Sequence, residues 1–498
     1  MKGKKWVFFI PFFISIFFLN FALLGGGDNY MYLILARSIR EHGRYVNLHI
    51  PGEPPHTKFP PLFPLLLAIF SGGRSIVGAK LLVISIYWIL LFFVFRFYNE
   101  IDRKNGWILF LFFSIPPYLL LYAQSIYSDI PYTLFSFLTL YFIFLYEKRK
   151  EQKYLYFSLI FAIAAFYTRT IGITLLSVPL FLFLRKRKKE GFIYGIILMM
   201  AMALWFGRNK LVGGGASVYF EQWKWINPYI PQAGVITWRD IFIRIINNLL
   251  NVIFHQIGVL FTGFTHSLSS HLGKKIFSTM SFILFVFIVT GYVLKFKKYL
   301  LFSIYIALYL FVYLLWPSIW ADTRFLLPLL PFFTIFFRDG VFQVAKKTEK
   351  GKLIFYIFAG VIIAVNFYID VISASKIFPL NIRYLHGERY CYYSSARRSL
   401  IYACRWMKEN LPQEAIIMGI KPPMIYWYSE RKCVKYPPSS QPEELWKEIE
   451  KRRVDYLLLY RGYSRIETNV VPALNKMPER FYILKEFPPK TYLLGVIK

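Results

Sequence analysis

Carboxylates are scarce in this chain of 498 residues, which carries 27 Asp and Glu against 60 Lys and Arg. Two of them stand in equivalent places. Asp28 follows Gly25-Gly26-Gly27 directly after the first apolar run, and Asp129, in AQSIYSDIPYTLFSFLTLYF, opens a later one. Each could serve only as a helix N-cap, a position that favours Asp. Two carboxylates at one level of an acid-poor chain point further, to a pair that takes a proton from a hydroxyl or orients it. Four cations fall near the same level: Lys58, Lys80, Arg169 and Arg324. Ionisable groups at that level are costly and are candidates for function. The plainer readings are that Lys58 and Lys80 snorkel towards headgroups and that Arg324 pairs with Asp322. Lys58 and Arg324 read as functional. For Arg169 and Lys80 the structural reading is the stronger, though both stay among the candidates. Tyr30, on the helix after Asp28, and His56, just before Lys58, are candidates to touch substrate. His56 with His255 or His266 could offer imidazoles to a divalent metal, but scattered histidines are more often unliganded, and no metal or cofactor is assigned.

The elements that must position these groups are membrane spans. Hydrophobic residues make up 56% of the chain and charged residues 17%, where soluble proteins run at about 25% charged. Apolar runs near 20 residues, enough to cross about 30 Å of hydrocarbon, recur through the first three quarters. The net charge of +33 invites a nucleic-acid reading, which its distribution excludes. The Lys and Arg gather in short runs between apolar segments, as around Lys2–Lys5, Lys148–Lys153, Arg185–Lys189, Lys295–Lys298 and Lys346–Lys352. Placing every run on the cytoplasmic side leaves even numbers of crossings between them. The resulting trace has about eleven spans, near 6–24, 75–98, 106–122, 130–146, 154–168, 171–184, 192–212, 276–294, 299–317, 325–338 and 353–372. The first reads as a retained anchor, with the N-terminus inside and the C-terminus outside. Segment 60–71 is too short and too rich in proline to span and is expected at the outer interface. Segment 245–272, interrupted by histidines, is expected not to cross.

From about Lys376 the composition changes, and twelve of the 27 acids fall in this tail. The expected organisation is therefore a membrane domain over 1–375 and an extracytoplasmic α/β domain over 376–498. The tail pattern predicts a helix near 396–410, a strand at AIIMG, a helix at EELWKEIEKRR, a strand at VDYLLLY and two C-terminal strands near FYILK and TYLLGVIK. All three cysteines, Cys391, Cys404 and Cys433, lie here, leaving open one disulfide with a spare thiol or three free thiols. The Gly213–Gly215 run has no phosphate-loop spacing, and no dinucleotide fingerprint follows a strand.

The chain resembles the GT-C superfamily of membrane glycosyltransferases, in particular the protein O-mannosyltransferase and lipid A aminoarabinose transferase branch. The resemblance rests on the acidic residue after span one, on ARSIREHGRY, on KFPPL, and on Asp129 opening span four. It rests also on FAIAAFYTRTIGITLLSVPLFLFL and DTRFLLPLLPFF. It implies an α-helical polytopic fold with an extracytoplasmic tail. It also implies an inverting transfer of a sugar from a polyprenyl-phosphate donor to a hydroxyl of a lipid, glycan or protein at the outer face of the cytoplasmic membrane. In that reading Asp28 is the catalytic acid of loop one, Asp129 the second acidic position and Lys58 a cation near the donor phosphate. The resemblance thus implies a departing phosphate for Lys58, Arg324, Lys80 and Arg169 to meet. The chain departs from the family where Asp28-Asn29 stands for Asp-Glu and Ala79-Lys80-Leu81 for Ala-Arg-Leu, the second keeping charge without the arginine fork. The Trp-Trp-Asp signature of oligosaccharyltransferases is absent, since WPSIWAD does not reproduce it. Other readings are a transporter or lipid flippase, which would show inverted repeats, and a transferase of lipid-diphosphate oligosaccharides, which would want clustered acids for a metal.

Overall fold

The structure, a computed structural model, describes residues 6–23, 26–214, 218–230, 233–263, 271–344 and 351–497. Gly25 of the glycine turn, Gly215, His266, and the basic residues Lys2, Lys4, Lys5, Lys346, Lys347 and Lys350 lie outside them. The chain is a polytopic α-helical membrane protein with a small sheet near its C-terminus. Each of the eleven expected spans coincides with helix. Six of them are long and apolar enough to cross by themselves: Ile76–Ile101, Asp129–Arg149, Lys188–Leu211, Leu272–Lys295, Thr323–Val344 and Lys352–Leu385. Gly106–Ser114 and Pro117–Ala123 make one further span if counted together, bent by 64° where Ile115-Pro116 interrupts the backbone ladder. Trp6–Phe17, Thr170–Leu184 and Leu300–Leu314 are shorter apolar helices, as is the expected interfacial helix Leu62–Ser71.

One expectation is corrected. Trp238–Thr262, expected to stay off the membrane, is as long and apolar as the others. Histidines had argued against it; the polar residues that the structure turns inward are others. Arg244, Asn248 and Gln256 are buried on one side, while Phe242, Ile246, Leu249, Leu250 and Phe254 are exposed on the other. The helix widens to a π-turn over Val252–Gln256, which shifts the face that Gln256 presents.

By contacts the chain divides into two compact units that do not follow chain order. The first comprises Met1–Asn20, Thr57–Phe63 and Lys80–Phe378; the second comprises Phe21–His56, Pro64–Ala79 and Pro379–Lys498. The loop after the first helix and most of the interfacial helix thus group with the tail, where the sequence reading divides the chain at residue 375. In the first unit, Asp129–Arg149 and Thr323–Val344 are the most enclosed spans, 83% and 89% buried over their apolar windows. Helices Leu272–Lys295 and Leu330–Val344 meet backbone to backbone: a Cβ on Gly291 would strike the Phe336 carbonyl, and one on Gly340 the Phe287 carbonyl.

The second unit is built on a five-stranded sheet: β1 Ile416–Gly419, β2 Lys432–Lys435, β3 Tyr456–Tyr460, β4 Phe481–Phe487 and β5 Thr491–Val496, in the order β2-β1-β3-β5-β4. β1 runs parallel to β2 and β3; β5 is antiparallel to β3 and β4. The expected helices appear as Ser395–Asn410 and Pro442–Arg452. Helix Pro422–Ser429 and strand β2 were not anticipated. The three cysteines are free thiols.

Candidate functional site

In the first unit one short segment, Trp320–Phe325, gathers the ionic groups. Asp322 caps the 3-10 helix Thr323–Leu329 by accepting the Arg324 backbone N–H at 3.1 Å, and its carboxylate also accepts the Tyr118 hydroxyl at 2.7 Å. The Arg324 guanidinium turns to Asp129, 4.0 Å away, and lies over the rings of Tyr127 and Phe325 at 4.8 and 5.0 Å. The Arg324 side chain thus pairs with Asp129, while Asp322 holds the Arg324 backbone N–H. Phe325 also carries the Arg169 guanidinium on its ring at 4.8 Å, and Arg169 bonds directly to Asp129. Asp129, 2% exposed, is thus the shared counter-ion of two arginines. It begins its helix, but Ser128 holds the cap position, so its side chain serves the arginines and not the helix end.

The local backbone explains why these side chains meet. Arg169 sits in extended conformation between helix Gln152–Thr168 and the 3-10 turn Thr170–Leu176. The turn is tight enough that a Cβ on Gly172 would lie 2.6 Å from the Phe166 Cα. The 314–321 turn is gripped by the inward face of helix 238–256. Arg244 donates to the carbonyls of Trp223, Trp225 and Leu315, and Asn248 to those of Leu314 and Trp316 at 2.9 and 2.8 Å. Gln256 donates to Ala321 at 2.8 Å and accepts the Tyr313 hydroxyl at 2.7 Å. These positioning residues escaped the sequence reading, although three polar residues at helical spacing in an apolar run are the signal that marks them.

Lys58 stands among rings: its ammonium is 5.4 Å from Phe59, 5.6 Å from Tyr219 and 5.8 Å from Trp320. Trp320 thus ties Lys58 to the segment that carries Arg324. Lys80 is elsewhere, 2% exposed, donating to the Asn20 side chain at 2.5 Å. It is enclosed and does not snorkel, and its hydrogen-bond partner is Asn20.

The other candidates belong to the second unit. Asp28 is half-buried in the first turn of helix Asp28–His42, whose cap is Gly27. Tyr30 and His56, expected at substrate, are both buried and hydrogen-bonded within this unit. Tyr30 has no exposed surface, accepts from Arg397 at 3.2 Å and packs on the Tyr428 ring; burial raises its hydroxyl pKa. His56 is 5% exposed and shares a 2.8 Å hydrogen bond with Asn47. Nearby, Lys432 donates to the Leu48 carbonyl and to Glu53, both at 2.6 Å, and the Cys433 N–H donates to the His49 carbonyl at 2.7 Å. These bonds weld loop 44–56 to the edge strand β2. Burial, with Lys432 nearby, depresses the His49 pKa to about 4. Glu41, bonded to Arg74 at 2.5 Å and Arg37 at 2.9 Å, is held down at about 2 chiefly by Arg74.

No protein-family model matches the sequence, and no curated protein matches it. Among solved structures the chain is similar to an archaeal oligosaccharyltransferase, AglB from Archaeoglobus fulgidus, in complex with an inhibitory peptide and a dolichol-phosphate. That match has a TM-score of 0.58 at 13% identity over 98% of this chain and 74% of that one. It is also similar to ArnT from Cupriavidus metallidurans, in the apo state (TM-score 0.48, 13% identity, 100% and 99% of the two chains) and bound to undecaprenyl phosphate (0.48, 12%, 99% and 98%). The likeness to the oligosaccharyltransferase shows a shared fold.

Proposed function

We propose that this chain is an integral-membrane glycosyltransferase that moves a sugar from a polyprenyl-phosphate donor to a hydroxyl acceptor. The observation that carries the reading is the pair of guanidiniums, Arg169 and Arg324, gathered on the enclosed carboxylate of Asp129 and backed by aromatic rings. A fixed, ring-backed cation suits a phosphate whose charge grows as it departs, because its dipoles need no reorganisation at that moment. Ionic groups at such depth are costly and are kept for function. The fold neighbour from Archaeoglobus fulgidus was solved with a dolichol-phosphate, a lipid of this chemical class.

In this reading the acceptor oxygen attacks the anomeric carbon, the bond to the phosphate oxygen breaks, and the sugar inverts. Polyprenyl phosphate leaves with the bonding electrons. Arg324, with Lys58, meets its charge; Asp129 and Arg169 hold Arg324 in place. Asp28 takes the acceptor's proton. The reaction takes place at the outer face of the cytoplasmic membrane, and the acceptor is a lipid, glycan or protein. Asp28→Asn tests the base. Gly27, and not Asp28, holds the cap position, and thermal melting of the variant is the folding control. Transfer from a synthetic short-chain polyprenyl-phosphate sugar in detergent should fall by roughly 10²–10⁴-fold. A variant that melts normally and turns over at the wild-type rate removes Asp28 from the chemistry.

A further inference from the structure

Helix Gly351–Leu385 buries one narrow stripe: Phe355, Ala359, Ile362, Asn366 and Asp370, spaced as one face of a helix. Its other sides expose Leu353, Ile357, Phe358, Val361, Phe367, Tyr368 and Val371. The stripe changes from apolar to polar at its last two members, each 1% exposed. Among the described residues, neither carboxylate oxygen of Asp370 has a hydrogen-bond partner, and the Asn366 Oδ1 and Ser114 Oγ atoms also have none. The donors nearby are committed. Asn366 gives its Nδ2 to the Phe261 carbonyl at 2.7 Å, and Tyr87, within electrostatic reach of Asp370, gives its hydroxyl to the Ser114 carbonyl at 2.9 Å.

Those two carbonyls belong to the last turns of helices Ile257–Thr262 and Gly106–Ser114, where backbone carbonyls face outward and the helix dipole is negative. The two helices touch: Phe112 and Phe261 have ring centroids 5.1 Å apart, and a Cβ on Gly263 would lie 2.7 Å from Pro117. Asp370 and Asn366, one turn apart on the buried stripe, thus bring unsatisfied carboxylate and amide oxygens beside the end of helix Ile257–Thr262, and Tyr87 links Asp370 to the end of helix Gly106–Ser114. Burying an uncompensated carboxylate costs several kcal/mol. One carboxylate calls for one positive charge, and an all-oxygen set beside broken helices is how membrane proteins hold small monovalent cations.

We propose that Asp370, Asn366 and Ser114 form a binding site for one sodium ion, independent of the donor-phosphate site. Bound there, the ion would also brace the break at Ile115-Pro116, which sets the direction of the helix bearing Tyr118. The test uses the purified full chain in detergent, with sodium chloride replacing choline chloride at constant ionic strength. Wild type should bind radioactive sodium saturably, one ion per chain, and melt on the order of 2 °C higher in sodium. Asp370→Asn should lose both effects. Should that variant fail to fold, Asn366→Ala keeps the charge, removes one oxygen and should weaken sodium binding about 10-fold. Three results would overturn the site: no saturable sodium binding by wild type, binding unchanged in whichever variant folds, or stabilisation by acid alone whatever the cation.

Discussion

Two charge clusters of this molecule are built to opposite plans. Around Asp129 a single enclosed carboxylate gathers arginines brought from positions 169 and 324, and both guanidiniums lie flat on aromatic rings. In the second unit, acids and bases alternate along a half-exposed chain: Arg74, Glu41, Arg37, Glu430 and Lys408, with Arg44, Glu53 and Lys432 forming a second run. There each carboxylate is shared between bases, and the result is a weld between segments far apart in sequence. In the first unit the carboxylate fixes cations in place. The difference teaches that a charge cluster must be read by its burial and its stoichiometry before it is called a site.

The sharpest way to break that contrast is Asp129→Asn. Removing the buried counter-ion leaves two arginines facing each other, and loss of one partner of a buried pair costs about 3–5 kcal/mol. A large drop in melting temperature is expected; a normal melt would show that packing alone holds the arginines. Next comes pH. His49 is depressed to about 4 in the folded chain, so the unfolded chain, titrating near 6.5, takes the proton first as pH falls. Stability present above pH 6.5 should be lost between 6.5 and about 4, with a ceiling on the order of 3 kcal/mol. Amide exchange in β2 should report it, and His49→Gln should flatten that window. The smallest effect belongs to Glu41→Gln, about 0.2–1 kcal/mol and weaker in high salt. Because Glu41 titrates near 2 in the fold against 4.5 as its ordinary value, its contribution is present above about 4.5 and lost only below it. The windows of His49 and Glu41 therefore separate, and a single merged acid transition would contradict the assignments.

Much of the fold was legible because apolar length and period carry it. The spans at Ile76–Ile101 or Leu272–Lys295 need no tertiary knowledge, and neither does the amphipathic helix Pro442–Arg452. Strand β2 was missed because four residues beside a two-proline helix carry too little pattern. Helix 238–262 was missed because the histidines of segment 245–272 read as breaks, while Arg244, Asn248 and Gln256, the face that grips the 314–321 turn, went unweighed. The division into units was illegible for a different reason. It rests on backbone bonds such as Cys433 to His49, between residues 384 positions apart, which no local pattern announces. At the site, the residue types and level of Asp129, Arg169 and Arg324 were legible. That Arg324 reaches Asp129 was not, because Asp322 is the carboxylate nearer in sequence.

The measurement that bears most directly on the proposed donor site is equilibrium binding of a short-chain polyprenyl phosphate to purified wild type, Arg324→Lys and Arg324→Ala in detergent. If Arg324 meets the phosphate, loss of a charge-assisted hydrogen bond worth about 1.5–3 kcal/mol weakens binding by roughly 10–150-fold in the alanine variant. The lysine variant falls between, keeping charge without the fork. Folded Arg324→Ala protein that binds the lipid phosphate as tightly as wild type would contradict the account.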